Sequence, residues 1–539
     1  MWPSIREFLR IPEELTGKNV GIAVVDGRFP NHPDIAANAC RNTYIVKTSE
    51  SNPHPMIMEM DNMPWNGGVH GLWTAAAAAG SGQLSQGHYA GAAPDANLFL
   101  LETGSFITVE EIESKFVAAL KWLRKSWRRY NIRGVVLTVA STRDTGLLPW
   151  QADPIRILCE QLVHDGLLVV VASGNTIDLT CSGPASSPSV LSVGGVIMPK
   201  HLDIYDAKPY HGCRGKTFEG KNIPEILAPA ENVVLPMTFQ SQEERQNHAT
   251  AAYDHLPEGY ARTEGTSFAA PIILGCAACV WEAHPDWTAS QIKSAILDSS
   301  IKSDAWKELN AGLIDVASAM NSTPSRDNSD LPYATWNGWK SKKETVRLKA
   351  LQERDEELVT SVLLSFCDDV RSSEIEEHVR VLLDHQSDKI RTAVITTLAF
   401  NPDTITSDDL RHLLRANSSY LRMGALFALR RCPSLWDEFT DEVSRLFTDP
   451  DLNLRYCAIE LAAVINKQCF IEPLISGLYE DAQFQRVSIF GTRCNALEIL
   501  TGIAFDPVPE WLEGQCWYSD RSTQARLHIA QKWGQWRGY

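Results

Sequence analysis

Five short runs of β-branched and leucine-rich residues, Val20 to Val25, Asn97 to Leu101, Gly134 to Val139, Leu168 to Ala172 and Val190 to Val196, are apolar at consecutive positions rather than alternate ones. A strand that is apolar on both faces has to be covered on both, so these runs predict a parallel sheet with helices above and below it. Amphipathic segments separate them, as crossover connections require. Val109 to Trp127 opens on the capping pair Thr108 and Glu111, and Ala289 to Leu297 opens on Thr288 and Gln291. Residues 1–320 therefore read as one α/β domain.

A different period governs the second part of the chain. Leu382-Leu383-Asp384 leads to Ile390-Arg391, Leu413-Leu414-Arg415 to Leu421-Arg422, and Leu446-Phe447-Thr448 to Leu454-Arg455, each time with nine residues from the first leucine to the arginine. Arg391, Arg422, Arg455 and Arg486 follow one another at 31, 33 and 31 residues. A constant period of this size predicts an all-α solenoid of helical hairpins, each burying its apolar face against its neighbours. The pattern is similar to HEAT repeats. Each repeated arginine is read as a structural residue tying one hairpin to the next. Between the two halves, residues 321–345 are polar and turn-rich without a period, a linker that leaves 346–539 for the repeats. The cluster Trp511, Trp517, Trp533 and Trp536 reads as the terminal cap of the solenoid.

The chain of 539 residues carries 66 acidic against 50 basic side chains, a net charge of −16. That balance repels phosphate backbones and anionic lipid, so nucleic-acid and membrane-surface binding are not expected. The first ten residues contain no apolar run of signal-peptide length, and no stretch of 18 consecutive apolar residues follows. Twelve cysteines are scattered along the chain and read as small buried hydrophobes. Cys276-Ala277-Ala278-Cys279 has no second pair at zinc-site spacing, and the acidic clusters at Glu353–Glu357 and Glu374–Glu377 lack a calcium-loop pattern, so no metal ligands are assigned.

Five segments of the first domain carry chemistry only when taken together. Gly21-Ile22-Ala23-Val24-Val25-Asp26-Gly27 ends a buried strand in a carboxylate, and in Gly67-Gly68-Val69-His70-Gly71 a histidine opens an alanine-rich helix. Tyr89-Ala90-Gly91-Ala92-Ala93-Pro94 precedes a strand, and Val171-Ala172-Ser173-Gly174-Asn175 ends one in an amide. Glu264-Gly265-Thr266-Ser267-Phe268-Ala269-Ala270-Pro271 sets a serine at a helix start among residues small enough for a substrate backbone to approach. The order Asp26, His70, Asn175, Ser267, with Gly-Thr-Ser-Phe-Ala-Ala-Pro around the serine, resembles the subtilisin-like serine peptidases, the subtilases. The resemblance runs from about Glu14 to Gly312-Leu313-Ile314-Asp315-Val316.

The resemblance implies a subtilisin-like doubly covered parallel sheet and an endopeptidase that works through an acyl-enzyme. Asp26, His70 and Ser267 would form the triad, Asn175 the oxyanion donor, and Ser141, Thr142, Gly174 and Ser182 would contact substrate. The chemistry demands such types: a serine hydroxyl needs a base within reach, imidazole titrates near neutrality, and a carboxylate steadies the imidazolium. No cofactor is required; members of the family often bind structural calcium, but nothing here fixes a site. The sequence departs from the family at Asp26-Gly27-Arg28, at His70-Gly71-Leu72-Trp73 and at Ala140-Ser141-Thr142-Arg143, where members commonly carry Ser-Leu-Gly or Ser-Met-Gly; the last change reshapes the substrate edge. Extracellular members have a leader and a pro-domain, and with 25 residues before Asp26 the chain is expected in the cytoplasm. A protein or peptide is then the substrate, and the repeats would engage it or a partner or regulator. Two other readings are a peptide-maturing transpeptidase or macrocyclase of the same fold, and a catalytically silent recognition scaffold.

Overall fold

The computed structural model describes all residues except 1, 60–68, 105–108, 139–144, 182, 239–255, 258, 325–330, 368, 370–372, 484–485, 506–519 and 537–539. Its centre is a sheet whose main strands are β1 (Gly21–Asp26), β2 (Thr43–Lys47), β3 (Asn97–Glu102), β4 (Ile132–Leu137), β5 (Leu168–Ala172), β6 (Leu191–Ile197), β7 (Ile226–Pro236) and β8 (Tyr260–Glu264). They lie side by side in the order β8-β7-β6-β5-β4-β1-β3-β2. All neighbours in that order are parallel except β8, which runs antiparallel to β7. The five predicted strands are present within two residues of their expected limits.

Each strand serves two cores because side chains alternate across the sheet. On β1, Ile22 and Val24 pack on the side of helices α1 (Val69–Ala79) and α4 (Thr266–Ala283). Ala23 and Val25 pack on the opposite side, with Phe116 and Leu120 of α2 (Val109–Ser126) and Leu158 and Leu162 of α3 (Pro154–Asp165). Helix α4 is long and apolar enough to cross a bilayer, but 89% of it is buried inside this domain, where a two-sided core needs such a helix. It runs close to the alanine face of α1: a Cβ on Gly275 would stand 2.4 Å from the Ala78 carbonyl oxygen. Helix α5 (Ala289–Asp298) opens on the expected capping box of Thr288 and Gln291. Thr108, the expected cap of α2, lies outside the described residues.

The second part is helical throughout its described residues: α6 (Pro332–Lys340), α7 (Glu344–Ala350), α8 (Glu356–Leu364), α9 (Ser373–Arg380), α10 (Asp388–Leu398), α11 (Ser407–Leu414), α12 (Ser419–Arg430), α13 (Thr440–Leu446), α14 (Leu452–Ile465), α15 (Ile471–Gln483), α16 (Val487–Thr501) and α17 (Asp520–Trp536). Helix α6 and the first two residues of α7 fall within the stretch read as a linker. Tyr333 and Trp336, one turn apart on α6, are buried, and Trp336 meets Trp150 of the first domain edge to face with ring centroids 5.2 Å apart. A short aromatic stripe in a polar segment is enough to dock a nine-residue helix once a partner surface is supplied.

Three of the repeated arginines act alike. Arg391, Arg422 and Arg455 are the fourth residues of α10, α12 and α14, and donate back to the carbonyls of Leu383, Ala416 and Asp449 at 2.8, 2.7 and 3.1 Å. Arg422 pairs with Asp449 at 3.0 Å and Arg455 with Asp481 at 2.9 Å, each an acid of the following hairpin. Arg486 is out of phase, since α16 begins one residue after it, yet it also reaches Asp481, at 3.0 Å. Asp481 is 0% exposed and takes a third guanidinium, that of the buried Arg493, at 2.6 Å. Replacing Asp481 by alanine would remove the carboxylate paired with the buried Arg493, while Glu480 still faces Arg486 and Arg455, so we expect a loss of about 3–5 kcal/mol, read from urea unfolding of the full chain.

Candidate active site

The carboxyl-terminal ends of the parallel strands form one edge of the domain, and the candidate residues meet there, beside the point where the strand order reverses between β4 and β3 on either side of β1. Asp26 is the last residue of β1 and 3% exposed. Its Oδ1 accepts from the Gly27 N–H at 2.7 Å, and its Oδ2 lies 2.8 Å from His70 Nδ1. The hydroxyls of Thr74 and Thr138 each donate to the same Oδ2 at 3.1 Å. His70 is the second residue of α1 and Thr74 stands one turn further on, so a single helix face offers both groups to the carboxylate.

The His70 side chain is 44% exposed on its outer side. Burial of the inner part opposes its charged form, but the charge of Asp26 and the hydrogen bond to it outweigh that, and the pKa is raised from its ordinary 6.5. With Nδ1 held by the carboxylate, the ring presents Nε2 outward as the acceptor of a proton.

Ser267 is the second residue of α4, behind Gly265 and Thr266. Gly265 has φ +145°, a conformation that side-chain-bearing residues rarely adopt, and a Cβ there would stand 3.6 Å from Asn175 Nδ2. The Ser267 hydroxyl donates to the Thr138 carbonyl at 3.2 Å. Its backbone N–H, in the first turn of α4, has no intrahelical acceptor and points out of the helix start. Phe268 packs beside both His70 and Trp73, with ring centroids 5.8 and 5.5 Å away.

Asn175 follows β5 after Ser173 and Gly174. Its Oδ1 accepts from the Thr266 N–H and the Thr266 hydroxyl, both at 2.8 Å. The Thr266 hydroxyl oxygen in turn accepts from the Gly174 N–H at 3.2 Å. With the amide oxygen anchored twice, the Asn175 NH₂ is the end left to donate, and it lies beside Gly265, two residues before the serine. The arrangement brings together a carboxylate, an imidazole, a hydroxyl and two N–H donors, the parts needed to activate a nucleophile and receive an oxyanion.

Of the expected substrate contacts, Gly174 lies beside Asn175, its carbonyl accepting from the Cys213 N–H at 3.0 Å; Ser141, Thr142 and Ser182 lie outside the described residues. Thr74, Thr138 and Thr266 were not singled out by sequence. Thr74 was within reach, four residues after His70 on a helix, whereas Thr138 and Thr266 become part of the site only through the sheet order.

One further group of potential ligands stands at this end of the sheet. Glu231 and Glu264 are opposed across β7 and β8, and one atom of each lies within 4.8 Å of a His211 ring nitrogen. Burial, and then the charge of Glu231, push Glu264 up to about 7. Burial also raises Glu231 and lowers His211. One imidazole and two carboxylates could together hold a cation.

A sequence model of the Subtilase family matches residues 17–329. The chain is 27% identical over 313 residues to the serine protease AprX of Bacillus subtilis, an alignment covering 56% of this chain and 65% of that protein. It is 26% identical over 299 residues to the subtilisin-like protease PopC of Myxococcus xanthus, covering 53% and 57%. The chain thus spans about three fifths of the length of these relatives. Among solved structures, fervidolysin of Fervidobacterium pennivorans, a keratinolytic enzyme related to subtilisin, aligns with 59% of this chain and 45% of its own at 16% identity and a TM-score of 0.43.

His70 accepts a proton only when neutral, and its pKa is raised, so modification of Ser267 by an organofluorophosphonate should slow as pH falls through a midpoint above 6.5. Asp26→Asn removes the charge that raises this pKa. Its acid limb should therefore lie at lower pH, with the plateau rate reduced by about 10⁴.

Proposed function

The chain belongs to the subtilase family, and on that premise we propose that it is a serine endopeptidase whose nucleophile is Ser267. The observation that carries this reading is the 2.8 Å hydrogen bond between Asp26 and His70 at the sheet edge where Ser267 and Asn175 also stand. In the reaction, the Ser267 hydroxyl turns from the Thr138 carbonyl towards His70 Nε2. It loses its proton to the ring as Oγ attacks the peptide carbonyl carbon. Asp26 keeps Nδ1 protonated and stabilises the imidazolium that forms. The Asn175 amide and the Ser267 N–H receive the charge that develops on the former carbonyl oxygen, and the helix start of α4 adds its dipole.

His70 then gives its proton to the leaving amine, which departs and leaves an ester on Ser267. A water, deprotonated by the same ring, attacks that ester, and the acid product leaves with Ser267 restored. Nothing in this sequence of steps needs a metal or cofactor; His70, Asn175 and the Ser267 N–H supply base, acid and oxyanion donors.

For the helical domain we propose HEAT-like repeats. The helices α10, α12, α14 and α16 begin at Asp388, Ser419, Leu452 and Val487, steps of 31, 33 and 35 residues, which supports a repeated hairpin. Such a stack offers a long surface to a protein substrate, partner or regulator.

The test is covalent labelling by a fluorophosphonate probe beside Ser267→Ala, followed by cleavage of a peptide library with mass analysis of the products. Labelling confined to the serine form, and products carrying the mass of water, are the expected results. Asn175→Ala should reduce turnover by about 10² to 10³, the magnitude associated with one such donor in this enzyme class. A chain that stays unlabelled would overturn the reading, and products joined to an amine would convert it to a transferase.

A further inference from the structure

The segment that follows Asn175 is held by the helical domain. The Thr176 hydroxyl lies 2.5 Å from that of Ser488. Two residues on, Asp178 Oδ2 accepts from the Ile489 N–H at 3.1 Å. Two further on, the Thr180 N–H donates to Asn453 Oδ1 at 2.9 Å, and Asn453 Nδ2 donates to the Thr180 hydroxyl at 3.2 Å, a two-point clamp. Leu179, between these contacts, is buried in the core of the helical domain together with Cys213, and the Cys213 N–H bonds the Gly174 carbonyl. Every polar contact just named falls within five residues of the candidate oxyanion donor.

Both partners of the loop are helix N-termini. Ser488 and Ile489 are the second and third residues of α16, whose own cap residue, Arg486, makes no side-chain cap hydrogen bond. The missing cap is supplied by Asp178 of the other domain. Asn453 is the second residue of α14 and is steadied by Asp451, the cap of that helix, at 3.1 Å. A helix end offers donors fixed by the whole helix behind it, so the loop is tied to rigid points.

Resting on the peptidase reading above, we propose that the helical domain completes the active site: Asn453 and Ser488 are positioning residues that hold the 176–180 loop and through it aim the Asn175 amide at the oxyanion. The domain so read supports the nucleophile instead of restraining it. Ground-state binding, made elsewhere along the substrate edge, depends on this aim much less than the transition state does.

The experiment is a double-mutant cycle in the full chain. Asn453→Ala and Ser488→Ala, each checked for an unchanged melting transition, should lower kcat about tenfold with KM nearly constant. In an Asn175→Ala background they should lower it no further, because the group they aim is gone. Asn453→Asp retains the acceptor for the Thr180 N–H and should recover much of the rate; it also decides the matter should Asn453→Ala fail to fold. An unchanged kcat in folded variants overturns the proposal, as does the same fold-loss with and without Asn175. A parent chain that fails to label at Ser267 overturns instead the peptidase reading, and this inference with it.

Discussion

A carboxylate at 3% exposure is tolerable only if its oxygens are occupied by donors, and Asp26 is the group on which the site depends. Its Oδ2 takes His70, Thr74 and Thr138 at once, from one helix and from the end of the neighbouring strand. Donors arriving from several elements leave that oxygen no room to move, which fixes the imidazole as firmly as the sheet itself. Thr138 does more than fill a lone pair: its hydroxyl is given to Asp26 while its carbonyl accepts the Ser267 hydroxyl. One threonine just past β4 thus spans from Asp26 to Ser267.

The same rule governs charges far from the site. Lys221 is buried and gives its ammonium to the carbonyls of Ala185, Ser187 and Val190 and to Glu225 at 3.0 Å. Although burial opposes it, Glu225 is held down at about 2 by Lys221 and Lys293. Arg156, 0% exposed, bonds the Leu148 carbonyl and Glu219. Each of these buried ions ties a loop to a helix or strand. They hold connections in place where apolar packing alone would leave the backbone polar groups of the loop unsatisfied.

How much of this was legible in the sequence follows from which interactions are local. β1, β3, β4, β5 and β6 announce themselves because a doubly covered strand is a continuous apolar run. β7 and β8 do not: Ile226–Pro236 carries Pro229, Glu231 and Asn232, and Tyr260-Ala-Arg-Thr-Glu is largely polar. They are strands because β6 offers β7 an unfilled edge, a tertiary fact. Asp26, His70, Asn175 and Ser267, of which the first three are ordinary taken singly, stood out as an ordered set through the resemblance to the subtilases. Thr74 follows His70 by one helical turn, whereas Thr138 and Thr266 are common residues in ordinary places that only the three-dimensional edge selects. Within the polar stretch 321–345, Tyr333 and Trp336 form a helix because both domains supply them partners, Gln161 and Trp150 from the first and the Leu364 carbonyl from the second, which no local pattern announces.

That last point bears on how the two halves of the chain are related. A solenoid that merely hung from a linker would keep its core to itself. Here Leu147, Leu148, Trp150, Leu179 and Cys213 of the first domain belong to the same apolar cluster as the helices α8 to α16. Leu147, Leu148 and Trp150 come from the segment after β4, and Leu179 from the loop after Asn175. A small shift of the helical stack could not leave those segments where they are without opening apolar surface and uncapping α16. The geometry of the edge that carries Ser267 and the packing of the helical domain are therefore one mechanical problem. The contacts of Ser488, Ile489 and Asn453 with residues 176–180 carry that coupling to within one residue of Asn175.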